Sequence, residues 1–152
     1  MPRYEGDPTR ASATFEVFPK GDYEFVIGEP KAFERNNRDN KLTFGIRFPL
    51  TCQSDGSMKN KPFVQTLYKH VDTAEGINKR FIMAALGYQI NRADENRFDS
   101  DFKGKDWGFD TDTGAVGDAW RELTGRRIVG SFDIKLDNNQ NEQQDVKGWR
   151  PL

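Results

Sequence analysis

Apolar and polar residues alternate without fault over residues 41–48. Leu42, Phe44, Ile46 and Phe48 fall on one side, and Lys41, Thr43, Gly45 and Arg47 on the other. Strict period two marks a half-buried strand, so the apolar side is assigned to a core and the basic side to solvent. A second alternation, Tyr23, Phe25 and Ile27, predicts a strand over residues 23–27 after the turn signal Pro19-Lys20-Gly21-Asp22. Gly28-Glu29-Pro30 interrupts it, and Ala32-Phe33-Glu34 resumes it beyond a bulge, because Pro30 has no amide for a ladder. The Asn-rich turn over residues 35–40 joins this first strand to the 41–48 strand as a hairpin. Ser54-Asp55-Gly56-Ser57 makes a second turn, and residues 63–70 read as the third strand. Its faces are Phe63, Gln65, Leu67, Lys69 and Val64, Thr66, Tyr68, His70. Phe63 and Leu67 are preferred inside, which leaves Tyr68 and His70 outside.

The period then changes. Ile77, Phe81, Ala84 and Ala85 stand at helical spacing, with Asp72 or Thr73 as the cap and Gly87 as the stop. Residues 88–113 show no period and read as an irregular, acidic insertion whose Phe98, Phe102, Trp107 and Phe109 pack onto the core. Val116, Ala119, Trp120 and Leu123 predict a short helix over residues 115–123. A fourth strand follows over residues 126–134, with Ile128, Gly130, Phe132 and Ile134 on one face. A polar loop over residues 136–144 leads to a fifth strand over residues 145–149, with Val146 as its core contact.

Composition narrows the picture. Hydrophobic residues make up 35% and charged residues 31% of the chain, which is polar, but the 12% aromatic content supplies a core. No apolar run is long enough to span a membrane. Residues 1–14 lack a charged-then-apolar leader pattern, so a cytoplasmic location is expected. The single Cys52 excludes a disulfide framework and a thiolate zinc site, and the single His70 excludes two-histidine chemistry. No serine or cysteine elbow accompanies His70, so it reads as an end-of-strand residue and not a general base. Asp110-Thr111-Asp112-Thr113-Gly114 lacks the closing Glu of a calcium loop. No glycine-rich phosphate loop is present. Neither a metal nor another cofactor is expected. The net charge of −1 is unevenly spread. Residues 31–80 hold ten Lys/Arg against five Asp/Glu, and residues 94–122 hold four against nine. This asymmetry predicts a basic face for a polyanion.

The elements predict one mainly β domain over residues 19–152, preceded by a loose arm over residues 1–18. Its expected form is a five-stranded OB-like barrel, with a helix between strands three and four and an insertion over residues 88–113. That plan places oligonucleotides on strands two and three and on the loops joining strands one to two and four to five. Cations would track phosphates, and flat rings would stack bases. Arg35, Arg38, Lys41, Arg47, Lys59, Lys61 and Lys69 supply the cations, and Tyr68, with Phe33 or Trp149, the rings. Trp149 and Arg150 complete the candidate interface.

Short motifs point the same way: Pro19-Lys20-Gly21-Asp22-Tyr23, Leu123-Thr124-Gly125-Arg126-Arg127-Ile128 and Val146-Lys147-Gly148-Trp149-Arg150-Pro151. With the strand at 42–48 between them, they resemble a phage-encoded family of small replication and recombination accessory proteins, related in plan to single-stranded-DNA-binding OB proteins. The resemblance implies sequence-non-specific binding of single-stranded DNA in an infected host cell, without catalysis. It also implies contacts with phage replication or recombination proteins, and it admits a homo-oligomer. The chain departs from that pattern in its acidic insertion and in ending Trp149-Arg150-Pro151-Leu152, without an acidic tail. The rival classes are an adaptor that docks a recombinase, nuclease or polymerase, and a small nuclease. Against the nuclease, the carboxylates lie in the insertion and not at strand ends beside a lysine.

Overall fold

The computed structural model describes residues 17–152. The arm expected over residues 1–18 thus lies, through residue 16, outside the described residues. Phe18, at its end, is buried, and its backbone N–H donates to Gln144 Oε1 while its carbonyl accepts from Gln144 Nε2.

The fold is mainly β. Six antiparallel strands form one sheet: β1 (Gly21–Ile27), β2 (Lys31–Asn36), β3 (Leu42–Cys52), β4 (Pro62–Tyr68), β5 (Arg127–Leu136) and β6 (Glu142–Pro151). β3 takes β2 and β1 along one edge and β4 along the other, and β1 continues the sheet to β5 and β6. The sheet curls into a half-barrel. Among the described residues β4 pairs only with β3 and β6 only with β5. The space between them is filled by Phe63, Phe81 and Trp149, with Phe81 and Trp149 edge to face at 5.2 Å.

β1 and β2 are the two halves of the expected first strand, and the break between them has a countable cause. Ile27 pairs Leu50 and Lys31 pairs Arg47, so residues 28–30 oppose only Phe48 and Pro49. Gly28 donates to the Pro49 carbonyl at 2.7 Å, but Pro49 has no amide to return and Pro30 none to offer. The extra residue is a bulge, and it reverses the parity of the strand. Phe25 and Ile27 point into the core on β1, whereas Ala32 does so on β2. Lys31, Phe33 and Arg35 are thereby turned outward.

β3 is longer than its alternation suggested and runs through Pro49 to Cys52. Ile46, Phe48, Leu50 and Cys52 form the buried side, but Leu42, expected inside, is 52% exposed at the open end, and Phe44 is half-buried. Thr43, expected on the open face, is buried beneath its neighbours, and its hydroxyl donates to the Arg35 carbonyl at 3.0 Å. On β4 the preferred facing holds: Leu67 is buried, Phe63 packs on the core, and Val64 and Tyr68 are exposed.

A 3₁₀ turn (Asp72–Ala74) leads into α1 (Glu75–Ala85), with no side-chain cap from Asp72 or Thr73. Ile77, expected in the core, is exposed. Asn78 is buried instead and its Nδ2 donates to the Tyr68 carbonyl at 2.9 Å, while Phe81, Ala84 and Ala85 are buried as expected, together with Ile82 and Met83. Gly87, at φ 90°, ends the helix.

The segment expected to be irregular contains α2 (Arg92–Phe102), whose cap Asn91 accepts from the Asp94 amide at 2.8 Å. Phe98 and Phe102, one turn apart, stack at 5.3 Å, and Trp107 packs on both. Trp120 donates from Nε1 to the Trp107 carbonyl at 2.7 Å. The aromatics therefore pack as expected. The expected helix over 115–123 shrinks to α3 (Asp118–Arg121) and turns. Farther back, residues 110–116 cover the free edge of β2, where Ala32 donates to the Gly114 carbonyl. The β5–β6 loop is shorter than expected, spanning residues 137–141. Among the described residues no helix is long and apolar enough to cross a membrane.

Candidate functional site

Residues directly opposed in an antiparallel ladder share a face. Two rows cross the outer side of β2, β3 and β4. One holds Lys31, Arg47 and Thr66, and the next holds Phe33, Gly45 and Tyr68; Arg35 and Thr43 follow on β2 and β3. Gly45 sits at the centre. A Cβ there would collide with the Leu67 backbone, so β3 and β4 approach each other closely only because this residue has none. Across the gap the Phe33 and Tyr68 rings meet edge to face, 6.1 Å apart at 80°. The Arg47 guanidinium carbon lies 4.0 Å from the Phe33 ring centroid. Tyr68 is 36% exposed. His70 braces the far side: its ring meets Tyr68 edge to face at 5.5 Å, and the Phe44 amide donates to its Nδ1 at 3.2 Å. The lone histidine thus packs between Tyr68 and Phe44.

This surface is rich in cations. Among the described residues Lys31, Arg35, Arg38, Lys41 and Arg47 have no carboxylate partner. Three project from β2 and β3, and two lie in the hairpin turn that joins them. That turn is held by Asn37, whose Oδ1 accepts from the Asp39 and Lys41 amides, and by Asn40 at φ 56°.

The outer side of β1, β5 and β6 is different. Arg127 pairs Glu24 at 2.9 Å, and Arg150 pairs Asp22 at 2.9 Å. The Ser131 hydroxyl, followed by Arg150, holds the Asp22 carboxyl below its ordinary value. A hydrogen bond from Lys147 likewise lowers Asp145 and raises Lys147. This sector is neutralised within itself.

The structure therefore divides the residues assigned from sequence. Arg35, Arg47 and Tyr68 lie on the outer side of β2, β3 and β4, and Arg38 and Lys41 in the β2–β3 turn. Trp149 does not join them: it is 8% exposed, wedged among Phe25, Phe63, Phe81 and Phe132, and it is a core residue. Gly130 makes its room, since a Cβ there would lie 2.7 Å from the indole. Arg150 is bound to Asp22 in the neutralised sector. Lys69 has the parity of Leu67, and its ammonium pairs Glu75 at 2.8 Å beside the Trp120 ring. Lys59 and Lys61 sit in the β3–β4 turn, at the other end of the eleven-residue β3 from the Arg35 turn; at ~3.3 Å per residue that is a separation of about 30 Å. Lys59 is paired there with Asp55. Lys31 belongs to the surface but was not singled out by sequence. The signal that finds it is the bulge, counted residue by residue.

Among the described residues no three His, Cys, Asp or Glu side chains gather as metal ligands. No protein-family model matches the chain, and no curated protein matches it.

Proposed function

We propose that the protein binds single-stranded DNA without sequence preference, through the outer face of β2, β3 and β4 and the hairpin turn at residues 37–41. One observation carries the reading: five cations without carboxylate partners lie on β2, β3 and the turn that joins them, beside a strand that carries an exposed tyrosine. Unpaired cations release counterions to a polyphosphate, and an exposed ring offers a stacking face to an unpaired base. The order of elements supports it. Counting β1 and β2 as one broken strand leaves five strands, with α1 between the third and the fourth. That is the plan of an OB-fold, which takes oligonucleotides on this face. The role is one of coating or handling single strands during phage replication or recombination, in the host cytoplasm, and no catalytic step is assigned to it.

A second reading is favoured by a different feature. A cleft of about 320 Å³ with an apolar floor of Ile82, Phe98, Trp107 and Trp120 opens beside α1. It suits an adaptor that docks a replication or recombination protein. Titrating a mixed-sequence oligonucleotide, single- and double-stranded, at low and high salt separates the two. The single strand is expected to bind more tightly than the duplex and to weaken as salt rises. Absence of salt-sensitive binding to either form would leave the adaptor reading.

A further inference from the structure

We infer that Arg47 recognises a nucleobase and not a phosphate, its guanidinium serving as a stacking surface beside Tyr68. The inference rests on the single-strand reading above and specifies what one cation of that site contacts. The guanidinium carbon stands over the Phe33 ring, 4.0 Å from its centroid. Guanidinium is flat and weakly hydrated, so it stacks where an ammonium would stay in water. Its direction also has a cause. Lys31 lies straight across the ladder from Arg47, and like charges in that position repel. Phe33 is the diagonal neighbour, and among the described residues Arg47 has no carboxylate partner to compete with it.

With one face of the Phe33 ring covered by Arg47, the flat surfaces left for a ligand are the outer face of that guanidinium and the Tyr68 ring. Bases splayed out of a helix stack on arginine planes as they do on aromatic rings. Phe33 is then a positioning residue, the seat of Arg47. Phosphate contact falls to Lys31, Arg35, Arg38 and Lys41, whose charged groups no ring holds. Such a site favours single strands, because duplex bases are already stacked on one another.

The test compares Arg47→Lys, which keeps the charge and loses the plane, on an intact oligonucleotide and on an abasic one of equal length. The variant is expected to bind the intact strand about tenfold more weakly, in the range of one lost base stack. On the abasic strand, which has every phosphate and no bases, the loss should disappear. Phe33→Leu is expected to show the same dependence on bases. An equal loss on both strands, or no loss on either, would overturn the role given to Arg47 while leaving the site in place. Failure of the unaltered protein to bind the intact strand would overturn the site itself.

Discussion

Lys31 and Arg47 oppose each other across the β2–β3 ladder without a carboxylate between them. A like-charge pair in that position lowers stability, by an amount of the same order as the ~0.2–1 kcal/mol an opposite-charge pair contributes. Retaining it makes sense if a phosphate meets Lys31 when the protein works, while Arg47 turns to Phe33. Lys31→Glu should therefore raise the melting temperature slightly and weaken single-strand binding several-fold. Thermal melts and oligonucleotide titrations on the same variant check both signs, and a variant that melts lower while binding normally contradicts this reading of the pair. Trp149 teaches the opposite lesson about a single residue. Its ring, assigned from sequence to DNA, touches four core aromatics, and only the missing side chain of Gly130 admits it.

At the scale of elements, β3 shows what an alternating pattern can tell and where it stops. The pattern located the strand and its inward face, because a period of two leaves one face for the core. It did not say which part of the strand the core reaches. Ile46 and Phe48 are fully buried, while Phe44 is half-buried against His70 and Phe109. Phe48→Ala should cost ~3–5 kcal/mol in denaturant unfolding, as for a large side chain removed from a packed core, and Phe44→Ala clearly less. Equal costs would mean that the core extends to the open end. The bulge at residues 28–30 was visible from its Gly and Pro, yet its effect on facing was not, since parity depends on the partner strand as well. α2 was hidden for another reason. It is highly charged, and it is held by Phe98, Phe102 and the Asn91 cap, not by a continuous apolar stripe. For α1 the stripe Phe81, Ala84 and Ala85 is buried as its spacing predicts, and only its first member fails: Asn78 finds the Tyr68 carbonyl and Ile77 faces solvent.

Across the whole molecule, charge is sorted by sector. The carboxylates of the α2 lobe point outward or meet local partners, as Asp99 meets Lys79 at 2.8 Å and Asp101 accepts from the Tyr88 hydroxyl at 2.6 Å. The β1–β5–β6 side neutralises itself. The β2–β3 side does not, and it carries the exposed ring. The basic stretch over residues 31–80 was legible from sequence as a count; the outward facing of Lys31 and Arg35 required the bulge. The central claim is that these unpaired cations lie along a polynucleotide backbone. The most direct measurement is the salt dependence of single-strand binding for the wild type and for a variant with Lys31, Arg35, Arg38 and Lys41 all changed to Ala. Each phosphate contact contributes ~−0.7 to the slope of log affinity against log salt. The variant should melt at or slightly above the wild-type temperature, and its slope should be shallower by about 3 if all four meet phosphates. An unchanged slope in a folded variant would contradict the account.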